Sequence, residues 1–450
     1  MALSYAEAVD KLTVEAQNQG AVYREQYEMC SILKASGRMA KDAVRSPETT
    51  PKFDTSAMDG YALNSELTAN ATAESPVIFL VKGMIAAGDE PIPAFGDAGL
   101  DGVYPCVEIM TGARFPETFD CCVRIEDTVS FSDESSDRCY IKVMRPAKPR
   151  QHRRLAGSDF KEGDVIISAG AVISPAHIMA MASVGVTEVE VLRKPRIGVF
   201  STGSEMQPAE ATKPNLHRIR DANGPHIMAT LSDWGVDADF LEVLDDNADS
   251  MVKKLLYHIT EPKYDIIIST GAVSTGRFDT VPTSLKRLNT RVVFHRIAVK
   301  PGHPALFGII PRQGDRCSGS NGIAYFGLPG NPVAAAACLR FLVNPFIKIF
   351  QDQQLEVPLR ARVRSEEIEK TDIIASSENC AQLLSTFPPD KDVFRPGISH
   401  RLSDGEMGVT LIQDHSPSKV KPFAASNCWI HIHRGHTELR AGDMVDVFLN

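Results

Sequence analysis

Three features of the sequence predict a multidomain α/β protein. From residue 195 the pattern repeats as strand, loop, helix, which builds a parallel sheet with helices on both faces. Short β-type runs separated by turns flank this region on both sides. The chain has 450 residues, too many for one hydrophobic core, so three or four domains are expected.

Residues 4–18 and 24–36 carry amphipathic patterns and are predicted as helices, with Ser4 capping the first. The run Ser46-Pro47-Glu48-Thr49-Thr50-Pro51 breaks helix and marks a boundary. From 53 to 148 short strands alternate with turns, at Val77 to Val81, Val103 to Ile109 and Tyr140 to Val143, ending in a basic run from Arg145 to Arg154. A helix is expected from Ser174-Pro175, because proline suits the first helical position, and Gly185 closes it. Strands follow at 196–201, 237–243, 264–269, 291–299 and 323–327, with helices at 224–234, 247–259, 280–288 and 331–349. Short β segments at 359–365, 409–413, 428–434 and 444–449 predict a small C-terminal barrel or sandwich.

The net charge is −9 and the pI about 5.8, which argues against a general binder of nucleic acid or membrane surfaces. No apolar run approaches the roughly 20 residues of a membrane span, and the first residues, Met1 to Tyr5, lead into a helical pattern without a signal-type apolar region. There are nine cysteines and no Cys-x-x-Cys, so reduced thiols in the cytoplasm are expected. Serine-hydrolase elbows, Walker loops and His-Glu-x-x-His are missing from the sequence.

Two loops carry the most chemistry. Val199-Phe200 leads into Ser201-Thr202-Gly203-Ser204-Glu205, and Ile266-Ile267-Ile268 leads into Ser269-Thr270-Gly271-Ala272-Val273-Ser274, with Asp279 beyond. Each is an apolar β-branched run ending in Ser-Thr-Gly, the pattern of a buried parallel strand. Glycine and hydroxyls past its end expose backbone N–H groups to an anion. Ligands of open α/β sheets sit at such strand ends. The nearby acids, Glu205 and Asp279, add a divalent cation to the expectation.

Other motifs have competing readings. Ser56-Ala57-Met58-Asp59-Gly60-Tyr61-Ala62 is a ligand loop or a simple Asp turn. Glu108-Ile109-Met110-Thr111-Gly112-Ala113 is an anion-facing loop or a strand-end turn. Arg153, Arg154 and Asp159 are a phosphate and metal group or a solvated hinge. Arg296 and Lys300 alternate with Ile297 and Val299, so both cations are expected on one face of a strand that stops at Pro301-Gly302. Two cations beside an interior sheet are costly without an anion. Leu328-Pro329-Gly330-Asn331-Pro332-Val333 is an anion-facing helix start or a packing turn. His431 and His433 share a strand face, with no acid nearby in sequence, and are expected on an exposed barrel strand.

Taken in order, these motifs closely resemble the molybdopterin molybdenumtransferase family, bacterial MoeA and the E domain of gephyrin, over about residues 4 to 450. The resemblance implies a central doubly wound α/β domain of molybdopterin-binding type. With it come an elongated domain from 1–48 and 150–186, an inserted β-rich domain at 49–149, the α/β domain at 187–350 and a β-barrel at 351–450. It also implies a homodimer that inserts molybdate into adenylylated molybdopterin with Mg2+ or another divalent cation, releasing AMP and molybdenum cofactor. A molybdopterin adenylyltransferase is an implied partner. Matched onto this chain, the functional residues fall on Asp59, Thr111, Asp159, Glu205, Asp245, Asp279, Arg296 and Lys300. Metal or pyrophosphate-activating roles are expected of Glu205, Asp245 and Asp279. Arg296 and Lys300 would hold molybdate or phosphate. Ser201, Thr202, Gly203, Ser269, Gly271, Ser274, Pro301, Gly302, Pro329, Gly330 and Asn331 would line the substrate.

The chain departs from the family pattern at Ser204, Ala272, Arg277, Arg296, His303 and Ala334. These changes leave an alternative, a molybdopterin-binding scaffold with weakened turnover. A third reading is an unrelated α/β enzyme acting on a phosphate ligand.

Overall fold

A computed structural model describes residues 2–90, 103–133, 138–210, 216–245, 247–260, 263–274, 280–312, 322–365, 383–412 and 415–450. The chain divides into two compact units, one of Met1–Gln26 with Arg193–Asn450 and the other Tyr27–Leu192.

The larger unit is built on a six-stranded sheet. Its strand order is Asp237–Leu244, Arg196–Thr202, Ile266–Thr270, Gly322–Leu328, Leu306–Pro311, Arg291–His295. The first four are parallel. The last two are antiparallel to their neighbours, which corrects the expectation of a wholly parallel sheet. The hydrophobic run at 322–328 accepts a hairpin edge because Leu306–Pro311, unrecognised in the sequence, pairs with it directly.

Alternation along the strands sends neighbouring residues to opposite faces. Phe200, Ile267 and Tyr325 join Met251, Leu255, Val281 and Leu285 in one core, so the helices Ala248–Thr260 and Val281–Arg287 cover that face. Phe326 and Phe307 instead meet Phe346 of the helix Asn344–Phe350. The segment Pro332–Phe350 is long and apolar enough to cross a membrane, contrary to expectation, but 78% of that window is buried in the protein interior. It is a core helix. A π turn at Leu339–Val343 lets the Asn344 N–H reach Leu339 O just before Pro345, which brings no N–H of its own.

The helix Tyr5–Tyr23 begins in a capping box, with Glu7 N–H donating to Ser4 Oγ and Ser4 N–H to Glu7. Its far end packs Tyr23 against Phe350, with ring centroids 4.3 Å apart. The C-terminal strands form a closed barrel in the order Asp392–Arg401, Met407–Leu411, Leu359–Arg364, Met444–Leu449, Cys428–Ile432, back to Asp392–Arg401. Val299–Lys300 extends it as a parallel strand. Ala361, Val363, Val393, Val409, Ile430 and Val447 fill its interior.

The second unit holds a six-stranded sheet of Cys121–Arg124, Gly60–Leu63, Val103–Ile109, Val77–Ile85, Arg138–Val143 and Thr128–Asp133. The helix Pro175–Ser183 packs beside a separate small core around Cys30, Ala40, Ile173 and Val191. The predicted helix at 24–36 is absent. Arg24 caps the first helix, and Tyr27–Ser31 is a strand paired with Glu188–Leu192, followed by a single 3-10 turn. An available partner strand outweighs a weak helical pattern over so short a segment. The seven cysteines among the described residues are unpaired thiols.

Candidate functional site

Three neighbouring parallel strands end together, at Thr202, Thr270 and Leu328, and the loops that follow enclose a cavity of about 930 Å³. Ser201, Thr202, Gly203, Glu205, Gly271, Ser274, Pro329, Gly330 and Asn331 line it, all singled out in the sequence. Gly271 has φ +94°, and a Cβ there would lie 2.6 Å from Thr202 O and Oγ1, so only glycine lets these two loops touch. At Gly203 a Cβ would stand 2.7 Å from the Glu205 carboxylate, which folds back into the space the missing side chain leaves. Ala272, beside it, also holds a positive φ, 49°.

A polar network sets the walls. Thr202 Oγ1 donates to Thr270 O at 3.0 Å, and Thr270 Oγ1 to Pro329 O at 3.0 Å. Asn223 Nδ2 donates to Thr270 Oγ1 and to Gly330 O. Asp221, 3% exposed, accepts from Ser201 Oγ and from the N–H groups of Asn223 and Gly224. Asp221 and Asn223 were missed in the sequence because Asp221-Ala222-Asn223-Gly224 reads as an ordinary turn. Arg220 also lines the cavity.

Other predicted residues lie elsewhere. Ser269 is fully buried and accepts a 2.6 Å hydrogen bond from Tyr325, so its hydroxyl belongs to the sheet interior rather than the cavity wall. Asp245 is exposed and directly follows Leu244, whose carbonyl accepts from Gly203 N–H. This sets it at the end of the strand adjoining the Glu205 loop. Asp279 lies outside the described residues. The Val333 N–H, expected to meet an anion, donates to Pro417 O at 2.9 Å.

The cations do not share a strand face. The strand stops at His295, and Arg296 takes φ 72° with its N–H donating to Ala305 O. This left-handed turn breaks the alternation on which the expectation rested. Lys300 is exposed, and Pro301 and Gly302 are buried. His303 Nδ1 sits 2.6 Å from Ile297 O. Lys300 instead acts electrically on His415, together with Arg395: burial, Arg395 and Lys300 push the His415 pKa down to about 4. Arg395 donates to Ser385 Oγ and Ile412 O, and its buried Nε has no partner among the described residues. The segment from His415 runs on to Ser418, which lines the cavity. Lys300 and Arg395 thus form a cationic group around His415, three residues from the cavity-lining Ser418, and its barrel half was invisible to motif reading.

Because burial and like charge keep His415 neutral in the fold, its contribution is fully present above the ordinary histidine pKa of about 6.5. It is lost as pH falls toward about 4. Urea unfolding of His415→Gln is therefore expected to show a flatter loss of stability between those two values than the parent chain; parallel curves would refute this.

In the second unit, Asp59 and Thr111 are joined. The Thr111 N–H and hydroxyl donate to Asp59 Oδ1 at 2.6 and 2.8 Å, and these bonds hold the exposed carboxyl below the usual carboxylate range. Asp159 lies 3.5 Å from Arg154, and Arg153 is held by Asp54 and Phe119 O.

Residues 3–185 match the "MoeA N-terminal region (domain I and II)", 198–349 the "Probable molybdopterin binding domain", and 381–449 the "MoeA C-terminal region (domain IV)". A molybdopterin molybdenumtransferase of Synechococcus elongatus is 30% identical over 82% of this chain and 86% of its own. One from Staphylococcus aureus is 31% identical over 91% and 88%. The crystal structure of the molybdopterin biosynthesis MoeA protein from Pyrococcus horikoshii covers all of both chains at TM-score 0.70 and 22% identity, a likeness of fold.

Proposed function

From the premise that the chain belongs to the molybdopterin molybdenumtransferase family, MoeA, we propose how the strand-end cavity and the cationic group near it divide the work. The chain is a transferase of molybdenum cofactor biosynthesis. In the proposal, the strand-end cavity holds the adenylylated molybdopterin, and the cationic side chains of Lys300 and Arg395 hold molybdate. The observation that carries this is the convergence of Thr202, Thr270 and Leu328 on one cavity whose floor is a closed hydrogen-bond network.

The phosphoanhydride lies against the loops after Thr202 and Thr270, where glycines bring bare backbone close. Glu205 and Asp245 are exposed carboxylates at the ends of two paired strands, a hard-oxygen donor set that suits Mg2+. They would hold it with Asp279, the third acid assigned from the sequence. Bound there, the cation would neutralise charge on the phosphates and so favour loss of AMP. Asn223 and Asp221 fix the loops. Lys300 and Arg395 attract the oxyanion and hold it beside the segment leading to Ser418. Asp59, Thr111 and Asp159 belong to the same reading through a homodimer, working in the cytoplasm and supplied by a molybdopterin adenylyltransferase. The division at 1–48 with 150–186, 49–149, 187–350 and 351–450 is retained as part of it.

The direct test incubates the purified chain with adenylylated molybdopterin, molybdate and Mg2+, and measures AMP and active cofactor. Binding without AMP would reverse the reading in favour of a scaffold. Within that assay, Lys300→Ala is expected to raise the half-saturating molybdate concentration about 10- to 100-fold, the worth of one charge-assisted hydrogen bond, while the saturated rate changes little. An unchanged molybdate dependence would remove Lys300 from the oxyanion pocket.

A further inference from the structure

His431 and His433 were expected on an exposed strand without acidic partners, and the structure reverses that. His431 is 6% exposed, and its Nε2 lies 2.9 Å from Asp392 Oδ1. Asp392 is itself 7% exposed. The reason is strand register. His431 pairs with Asp446 on one side, and the pairing of Val393 with Ile432 on the other puts Asp392 across from His433. Residues opposite one another in a ladder share a face, so His-x-His on the middle strand is flanked by an aspartate on each neighbour. Ile430 and Ile432 point into the barrel core, which turns the histidines outward.

We infer that Asp392, His431 and His433 form a Zn2+ site on the outer face of the barrel, separate from the strand-end cavity. One ligating atom from each lies within 4.8 Å of the others. Two ligands about 2.1 Å from one ion in tetrahedral geometry stand roughly 3.4 Å apart, so the His431–Asp392 pair, 2.9 Å apart, needs to open by only about half an ångström to hold one. Imidazole nitrogen with carboxylate oxygen is a donor set of the zinc class and not of Mg2+. The surroundings fit a fixed ion. Phe394 stacks on His431 at 4.6 Å, and the Tyr5 ring meets it edge-on at 5.6 Å. Asp446 lies 2.7 Å from His433 Nε2 and is held by Arg360, the outer carboxylate that orients many metal-binding histidines. His433, with half its side chain exposed, leaves an entry path. A bound ion would cross-link two barrel strands beneath the helix that begins at Tyr5.

The test uses the full chain, stripped with chelator and dialysed against Zn2+ in excess Mg2+, which occupies the cavity carboxylates. Elemental analysis counts the metal, and Co2+ substitution gives a visible spectrum that reports nitrogen ligation. One Zn2+ per chain is expected, bound at least about tenfold more weakly by His433→Ala and Asp392→Asn. If His433→Ala melts earlier without metal, Asp392→Asn, which keeps its shape, decides. No uptake, equal uptake by parent and variants, or a thiolate charge-transfer band would overturn the site and leave only hydrogen-bonded His–Asp pairs.

Discussion

Replacing Glu205 with glutamine is expected to lower Mg2+-dependent AMP release from adenylylated molybdopterin by about two to three orders of magnitude, or about 3–4 kcal/mol of barrier. The side chain reaches into the cavity over Gly203, in a space no other residue at 203 would leave open. Glutamine keeps that shape and removes only the charge. Glu205 is exposed, so the melting temperature should hardly move, and affinity for the pterin substrate should change by a few-fold at most. A loss confined to the rate marks a group that acts on developing charge. Unchanged AMP release at saturating Mg2+ would mean the cation, if used, is held without Glu205. The same assay on Asp279→Ala examines the acid that only the sequence assigns.

Asp221→Ala is expected to cost about 3–4 kcal/mol of stability, measured by urea unfolding. The carboxylate is almost fully buried and receives three hydrogen bonds, from Ser201 Oγ and from two N–H groups at the start of the helix Asn223–Asp233. Bonds to a buried charge are worth about 1.5–3 kcal/mol each, and truncation strands the donors away from water. Asp221→Asn retains an acceptor for the N–H groups and should lose less. Because the same helix carries Asn223, which holds Thr270 and Gly330, the alanine variant should also loosen substrate binding. A loss below about 1 kcal/mol would show that water replaces the carboxylate.

Much of the site was legible because strand ends announce themselves. The apolar runs before Ser201 and Ser269 and the glycines after them fix where a parallel sheet opens, and physics puts ligands there. The alternation at Arg296–Lys300 misled, since one left-handed residue cancels a face argument that assumes a continuous strand. Asp221 was hidden because a capping carboxylate and a turn aspartate look alike until burial is known. Arg395 and His415 were hidden for a different reason. They approach Lys300 only because Val299–Lys300 pairs with Asp392 and Val393, a contact between distant segments that no local pattern encodes. His431 illustrates the same limit: its acids come from other strands. The helix expected at 24–36 failed where a partner strand was available. The barrel's longest strand, Asp392–Arg401, went unrecognised beside its shorter neighbours.

The helix Tyr5–Tyr23 rests on Phe350 at one end, and at the other Tyr5 touches Phe394 and His431. A ribosome makes this helix hundreds of residues before its partners Phe350, Phe394 and His431. Through most of synthesis its apolar stripe, with Ala8, Leu12 and Ala16 destined for complete burial, has nothing of its own unit to lie on. Long-range closure of this kind is slow and leaves hydrophobic surface open while it waits. The segment therefore needs shelter during translation, and the larger unit becomes whole only when the barrel strands arrive to receive its opening turn.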